Sequence, residues 1–236
     1  MKLQEYRSGL KAGLPICLGY FSVSFGFGTL AITQGLSILQ ATILSITNLT
    51  SAGQFAGLTV IVAGASLLEM VLTQLVINSR YALMSLALGQ RLGPSVGIGK
   101  RLMMAFFNTD EVFALGMSRE RKLTPAFFLG AGTVAAIGWT GGTAMGAIAG
   151  SVLPSLVQTA LGIMLYGMFI AIVIPQAKQE KEMGICMVLA LIFSCLFTYL
   201  PLLSTVSAGI AIVLSTVAAA AICAWVFPVA DKEVAE

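Results

Sequence analysis

The sequence predicts an all-α, polytopic membrane protein with about six full transmembrane helices plus a re-entrant or broken helical hairpin. Composition is the first ground: 58% of the 236 residues are hydrophobic and only 10% charged, whereas a soluble domain is about 25% charged. Charge placement is the second. No charged residue occurs between Ala12 and Leu68, between Leu123 and Ala177, or between Met183 and Ala230, and each run far exceeds the roughly 20 apolar residues that span a bilayer. The third is the gathering of cations into four clusters, at Lys2 to Lys11, Arg91 to Arg101, Arg119 to Lys122 and Lys178 to Lys181, which the positive-inside rule assigns to the cytoplasm.

With all four clusters on one side, the number of crossings between them is even. The opening residues resemble a secretory signal, but the apolar run behind them greatly exceeds a signal's roughly 7 to 15 residues, so 12–34 is read as the first span. A second span fits 68–89. The intervening 36–66 is too short for two further spans with turns and reads as the hairpin. Irregular backbone at membrane depth is tolerated only inside protein or along a watery cavity, which directs attention to this segment. Residues 102–118 are too short and too polar to cross twice and read as a shallow helix or a second re-entrant piece. Two spans then fit 123–177, turning around Ser151 to Ser155. Two more fit 183–230, turning near Pro201 to Ser204, and both termini end in the cytoplasm. The whole chain, 1–236, reads as one transporter-like domain, with halves near 1–100 and 120–236 suggesting an internal repeat.

Much chemistry is excluded. Histidine is absent and the net charge is +3, so His-based triads and His metal sites are missing, and no basic face for nucleic acid emerges. No Walker, Rossmann, HExxH or GxSxG pattern occurs. No enzyme activity, cofactor or metal is expected, although Asp110 and Glu111 formally leave an intramembrane enzyme with paired acids. Cys17, Cys186, Cys195 and Cys223 have no CxxC spacing and read as small core hydrophobes. The sequon Asn48-Leu49-Thr50 lies in an apolar run and reads as accidental.

Polar groups within the apolar sequence form four constellations. Thr47 to Phe55 gathers Asn48, Ser51, Gly53, Gln54 and Phe55 where Ser-Ala-Gly weakens a helix. A helix broken there offers backbone amides and a positive dipole end to a carboxylate, although Gly53 and Gly57 also suit a packing seam. The second constellation is Glu69, Thr73, Asn78 and Arg80. On a continuous helix Glu69 and Arg80 share a face about 16 Å apart, while Asn78 points about 200° away from Arg80. Ionisable groups at membrane depth are functional candidates, although Arg80 also suits snorkelling to the interface. Asn108-Thr109-Asp110-Glu111 is the third, readable as an N-cap with an acidic first turn or as a carboxylate that carries a proton or answers Arg80. The last is Gly138, Gly142, Gly146 and Gly150, whose spacing makes a smooth ridge for close helix contact.

Pro15 with Phe25-Gly26-Phe27-Gly28, then Ser51-Ala52-Gly53-Gln54-Phe55, Asn78-Ser79-Arg80-Tyr81 and Thr109-Asp110-Glu111-Val112-Phe113-Ala114-Leu115 resemble the successive signatures of the AzlC family of branched-chain amino-acid permeases. The resemblance implies the large subunit of a bacterial inner-membrane exporter of branched-chain or similar small neutral amino acids, beside a small hydrophobic AzlD-type subunit. It carries motif positions onto Gln54 and Phe55, Asn78 and Arg80, and Asp110 and Glu111. The family often has histidine after the motif arginine; here that position is Tyr81, which leaves Asp110, Glu111 and, in reserve, Glu69 as proton carriers. A scaffold or pore subunit without its own transport cycle is the alternative reading.

Overall fold

A computed structural model describes residues 2–93, 96–119, 122–150 and 180–227, with 152, 154, 156, 170, 174, 177 and 178. The described residues are helical throughout, in ten helices with no strand: α1 (Lys2–Thr33), α2 (Ile38–Thr47), α3 (Ser51–Val62), α4 (Leu67–Asn78), α5 (Arg80–Arg91), α6 (Ile98–Phe106), α7 (Asp110–Met117), α8 (Pro125–Gly150), α9 (Lys181–Tyr199) and α10 (Ala208–Val226). α1, α9 and α10 are long and apolar enough to cross a membrane, and α4 with α5 makes a fourth if the pair is one span. α8 carries no charge over 26 residues, about 39 Å at 1.5 Å per residue.

The chain forms two compact units, Met1–Leu58 with Asn78–Tyr166, and Thr59–Ile77 with Gly167–Glu236. The first is organised by α1 and α8. Glycines on both helices let the backbones touch: a Cβ on Gly138 would strike Cys17, one on Gly146 the Phe25 carbonyl, and in the other direction one on Gly9 would strike Phe127 and one on Gly28 Thr143. The partners rise together along both helices, so α1 and α8 run parallel. Thr29 adds a bond across the seam, donating its Oγ1 to the Gly146 carbonyl at 3.1 Å. At the N-terminal ends Arg119 grips Glu5 through Nη1 at 2.7 Å and Nη2 at 3.2 Å, and its guanidinium stacks on Phe127. The ridge read from Gly138 to Gly150 is thus a close-contact seam.

At 36–66, where a re-entrant or broken hairpin was expected, the segment forms two short helices, α2 and α3, separated at Asn48 to Thr50. It is entered and left through glycines in left-handed backbone, Gly35 at φ +92° and Gly64 at φ +61°. Each completes a Schellman turn: Leu36 N–H reaches the Ala31 carbonyl, and Ala65 N–H the Val60 carbonyl. Ser37 starts α2 with a capping box, exchanging hydrogen bonds with Gln40. The span expected at 68–89 is interrupted at Ser79, where Ala82 N–H bonds three residues back, so the continuous-helix phasing of Glu69, Asn78 and Arg80 does not apply. Residues 102–118 fall largely in a second broken pair, α6 and α7, packed with α5 and α8 around Met104, Val112, Leu123 and Phe128.

In the second unit α9 and α10 turn through 200–207, as the Pro201 to Ser204 signal predicted. The second span expected within 123–177 and the tail from Asp231 lie outside the described residues. Cys195 is exposed and the other three cysteines are partly buried, which corrects the expectation of four core positions: on a helix turned to lipid, a small thiol needs no core.

The seam makes a direct prediction. Gly146→Val would drive branched carbons onto the Phe25 backbone and should lower stability by about 1–3 kcal/mol, read as a fall in melting temperature of the purified protein. Gly141, whose Cβ would meet nothing within 4 Å, should accept alanine with no loss and up to about 1 kcal/mol of gain from helix propensity.

Candidate functional site

The polar groups of the first unit form two clusters joined by an aromatic pair. The inner cluster is neutral. Gln54, fully buried three residues into α3, donates Nε2 to Ser45 Oγ at 2.5 Å and accepts Trp139 Nε1 at 2.7 Å on its Oε1. Ser45 Oγ in turn lies 2.6 Å from Thr143 Oγ1. Four buried side chains from α2, α3 and α8 thereby satisfy one another. Gln54 is here a keystone between helices, with both ends of its amide engaged.

The neighbouring residues of this constellation also have local work. Asn48 accepts Thr50 N–H at 3.1 Å and Thr50 Oγ1 at 2.7 Å on its side-chain oxygen, an Asx turn that shapes the break between α2 and α3. Gly53 is buried, and Phe55 packs edge-on against Phe27 at 5.0 Å. Ser51 Oγ is buried at the start of α3 with no hydrogen-bond partner among the described residues.

The outer cluster is charged. Arg80, the first residue of α5, pairs with Asp110 at 2.9 Å, both side chains about half exposed. Its Nη2 also donates to Tyr81 Oη at 3.2 Å, and the guanidinium lies 5.1 Å from the Tyr81 ring. Next along α7, Glu111 accepts the Tyr20 hydroxyl. Asn108 was expected to cap α7, but Thr109 occupies the N-cap, with no side-chain cap bond. Asn108 instead donates Nδ2 to Ser85 at 3.1 Å, and its buried Oδ1 has no partner among the described residues. Helix capping therefore does not account for Asp110 and Glu111, whose carboxylates reach Arg80 and Tyr20.

Tyr20 and Trp139 connect the two clusters: the rings meet edge-on at 5.3 Å, with Glu111 on the Tyr20 hydroxyl and Gln54 on the Trp139 indole. Sequence reasoning passed over both, because an aromatic residue in an apolar helix reads first as core. Their polar atoms were the available signal, since a buried Tyr or Trp usually finds a partner for O–H or N–H.

Asn78 ends α4, two residues before Arg80, within the same unit. Glu69 belongs to the second unit. It is 7% exposed and its Oε1 accepts Gly209 N–H at 2.8 Å, so a carboxylate sits on the N-terminus of α10, where the helix dipole favours it. A side chain at position 209 would collide with Glu69 and Thr73. Among the described residues, no three Cys, Asp or Glu gather to hold a metal.

Long apolar helices among the described residues, with α8 and α10 free of charge along their whole length, mark a membrane protein. It belongs to the AzlC family: the family described as AzlC protein matches residues 15–153. It is 30% identical over 194 residues to the inner membrane protein YgaZ of Escherichia coli strain K12, covering 79% of this chain and 78% of that protein. It is 32% identical over 182 residues to an uncharacterised membrane protein of Archaeoglobus fulgidus, covering 75% and 78%. A Helicobacter pylori membrane protein, also uncharacterised, matches at 29% over 113 residues, about half of each chain at 48% and 49%. No solved structure matches the chain significantly.

The inner cluster predicts that Gln54→Leu, which strands Trp139 Nε1 and leaves Ser45 Oγ with Thr143 alone, lowers stability by about 1–3 kcal/mol. Trp139→Phe in that background should cost less than it does alone, read in a double-mutant denaturation cycle.

Proposed function

We propose that this protein is a secondary transporter that exports branched-chain or similar small neutral amino acids across the bacterial cytoplasmic membrane, driven by protons and working beside a small hydrophobic AzlD-type subunit. The observation that carries the reading is the Arg80–Asp110 pair at the starts of α5 and α7, with Glu111 and Tyr20 beside it. An amino acid brings one carboxylate and one ammonium, the complement of Arg80 and Asp110. A zwitterion can therefore exchange with the internal pair without leaving either charge alone, the arrangement that makes a charge bearable in low dielectric.

Arg80, helped by Asn78, would take the carboxylate together with the first turn of α3, where Ser51 and Gly53 present backbone and a hydroxyl beside Asn48 and Phe55. Gln54 would join by leaving Trp139 and Ser45. Glu111 would carry the proton, since Arg80 already pairs with Asp110, with Glu69 in reserve. The substrate class and the partner rest on the AzlC motifs. An inner-membrane location fits the printed name of the Escherichia coli relative, and the four basic clusters support cytoplasmic termini by the positive-inside rule.

A non-transporting scaffold is the second reading, favoured by the complete hydrogen bonding of buried Gln54. Counterflow of labelled leucine in proteoliposomes separates the two: a transporter exchanges solute, a scaffold does not. In that assay Arg80→Gln should weaken leucine binding about 10-fold or more, the loss of one charge-assisted hydrogen bond. Full transport by a well-folded Arg80→Gln protein would remove Arg80 from the site.

Proton coupling makes a separable prediction. Glu111→Gln should abolish uptake driven by a pH gradient while sparing leucine exchange at equal pH. Gradient-driven flux retained by Glu111→Gln, Asp110→Asn and Glu69→Gln alike would exclude a proton carried on these side chains. For topology, single cysteines at Gly97 and Glu182 in a cysteine-free background should resist membrane-impermeant thiol reagents applied outside intact cells.

A further inference from the structure

α6 divides its apolar side chains into two sets. Met104 is fully buried in the core with Leu88, Leu92 and Val112. Ile98, Leu102 and Phe106 point outward, 73, 64 and 50% exposed, with Met103 beside them at 56%. At 100° per residue Ile98, Leu102 and Phe106 form one stripe with Met103 at its edge. Arg101 lies about 60° beyond one border of this band and Lys100 about 60° beyond the other. An apolar band bordered on both sides by cations belongs to a helix lying in the plane of a membrane interface.

The neighbouring structure supplies a cleft. Between α5 and α6 a cavity of about 190 Å³ is lined by Leu88, Leu92, Met104 and Leu102, with Ser85 and Arg101 as polar groups. Arg101 is fixed there by donating Nε to the Val96 carbonyl at 3.0 Å. Its Nη1 lies 3.3 Å from where a Cβ on Gly89 would sit, so the guanidinium lies over α5 rather than extending freely. Lys100 is exposed.

We propose that α6 lies in the membrane interface and that its cleft with α5 binds an anionic glycerophospholipid, with the phosphate on Arg101, an acyl chain along the cleft and the Ile98–Leu102–Phe106 stripe, and Lys100 adding positive charge at the opposite border of the helix. The apolar lining and the Arg101 guanidinium match the two ends of one molecule. A soluble phosphate would satisfy only the cations, and a zwitterionic lipid would bring its own cation towards them.

The test uses the full chain reconstituted in nanodiscs of phosphatidylglycerol mixed with phosphatidylcholine. Lipid retained after mild detergent extraction, measured by mass spectrometry, should be enriched in phosphatidylglycerol. Lys100→Gln and Arg101→Gln should each lower that enrichment about 5-fold, equivalent to about 1 kcal/mol per cation at an anionic surface. If Arg101→Gln fails to fold because the Val96 contact is lost, Lys100→Gln, at an exposed position, still decides the matter. A fluorophore on Leu102→Cys in a cysteine-free background should be quenched by lipids brominated near the headgroup and protected from aqueous iodide. Equal retention of both lipids, unchanged enrichment in Lys100→Gln, displacement of the lipid by millimolar glycerol phosphate, or free access of iodide to position 102 would each overturn the proposal. So would protection of position 102 by a co-purifying protein instead of lipid.

Discussion

The first unit depends on the approach of two backbones with almost no side chain between them. α1 and α8 touch through glycine on both sides, and this contact brings Tyr20 of one helix against Trp139 of the other. From that pair the rest of the polar architecture follows: Trp139 holds Gln54 and through it the α2–α3 hairpin, while Tyr20 reaches the carboxylate at the start of α7. In a bilayer, where lipid removes the hydrophobic incentive for helices to associate, such close van der Waals contact is what remains to drive packing. The glycine cost in helix propensity is accepted because a larger residue would separate the helices by more than the hydrogen bonds beside the seam can span.

Much of this was legible in the sequence, and the reasons are local. Charge-free runs, the Pro201 turn and the glycine ridge on α8 are all signals within one segment. The helix break expected at Ser51 to Gly53 falls instead at Asn48 to Thr50, and Ser51 to Gly53 form the first turn of α3. The ridge's partner was not legible, because the matching glycines on α1 have no strict period and lie about 120 residues away. The same distance hid Tyr20 and Trp139: each hydrogen bond joins residues far apart in sequence, for which periodicity is silent. Asn108 was misread for a different reason. An N-cap signature is shared by several adjacent polar residues; Thr109 stands at the N-cap, while Asn108 bonds Ser85, a partner 23 residues away.

The constellations also separate in character once their partners are known. Gln54, Ser45, Thr143 and Trp139 form a neutral, buried set that specifies how three helices meet. Arg80, Asp110 and Glu111 form a half-exposed charged set at the starts of α5 and α7. In the second unit Glu69 serves a helix terminus, which gives a buried acid a structural partner without a cation. Sequence alone presents all of these as polar residues in apolar surroundings, and only the partner tells a keystone from a working group.

The four-residue repeat of the α8 ridge has a mechanical consequence. The α8 ridge offers its next gap only one full repeat away, about 6 Å for four helical residues. Any smaller slide brings branched or aromatic side chains of one helix onto the backbone of the other. The α1–α8 pair therefore behaves as a detent, holding its register against thermal creep as one strut.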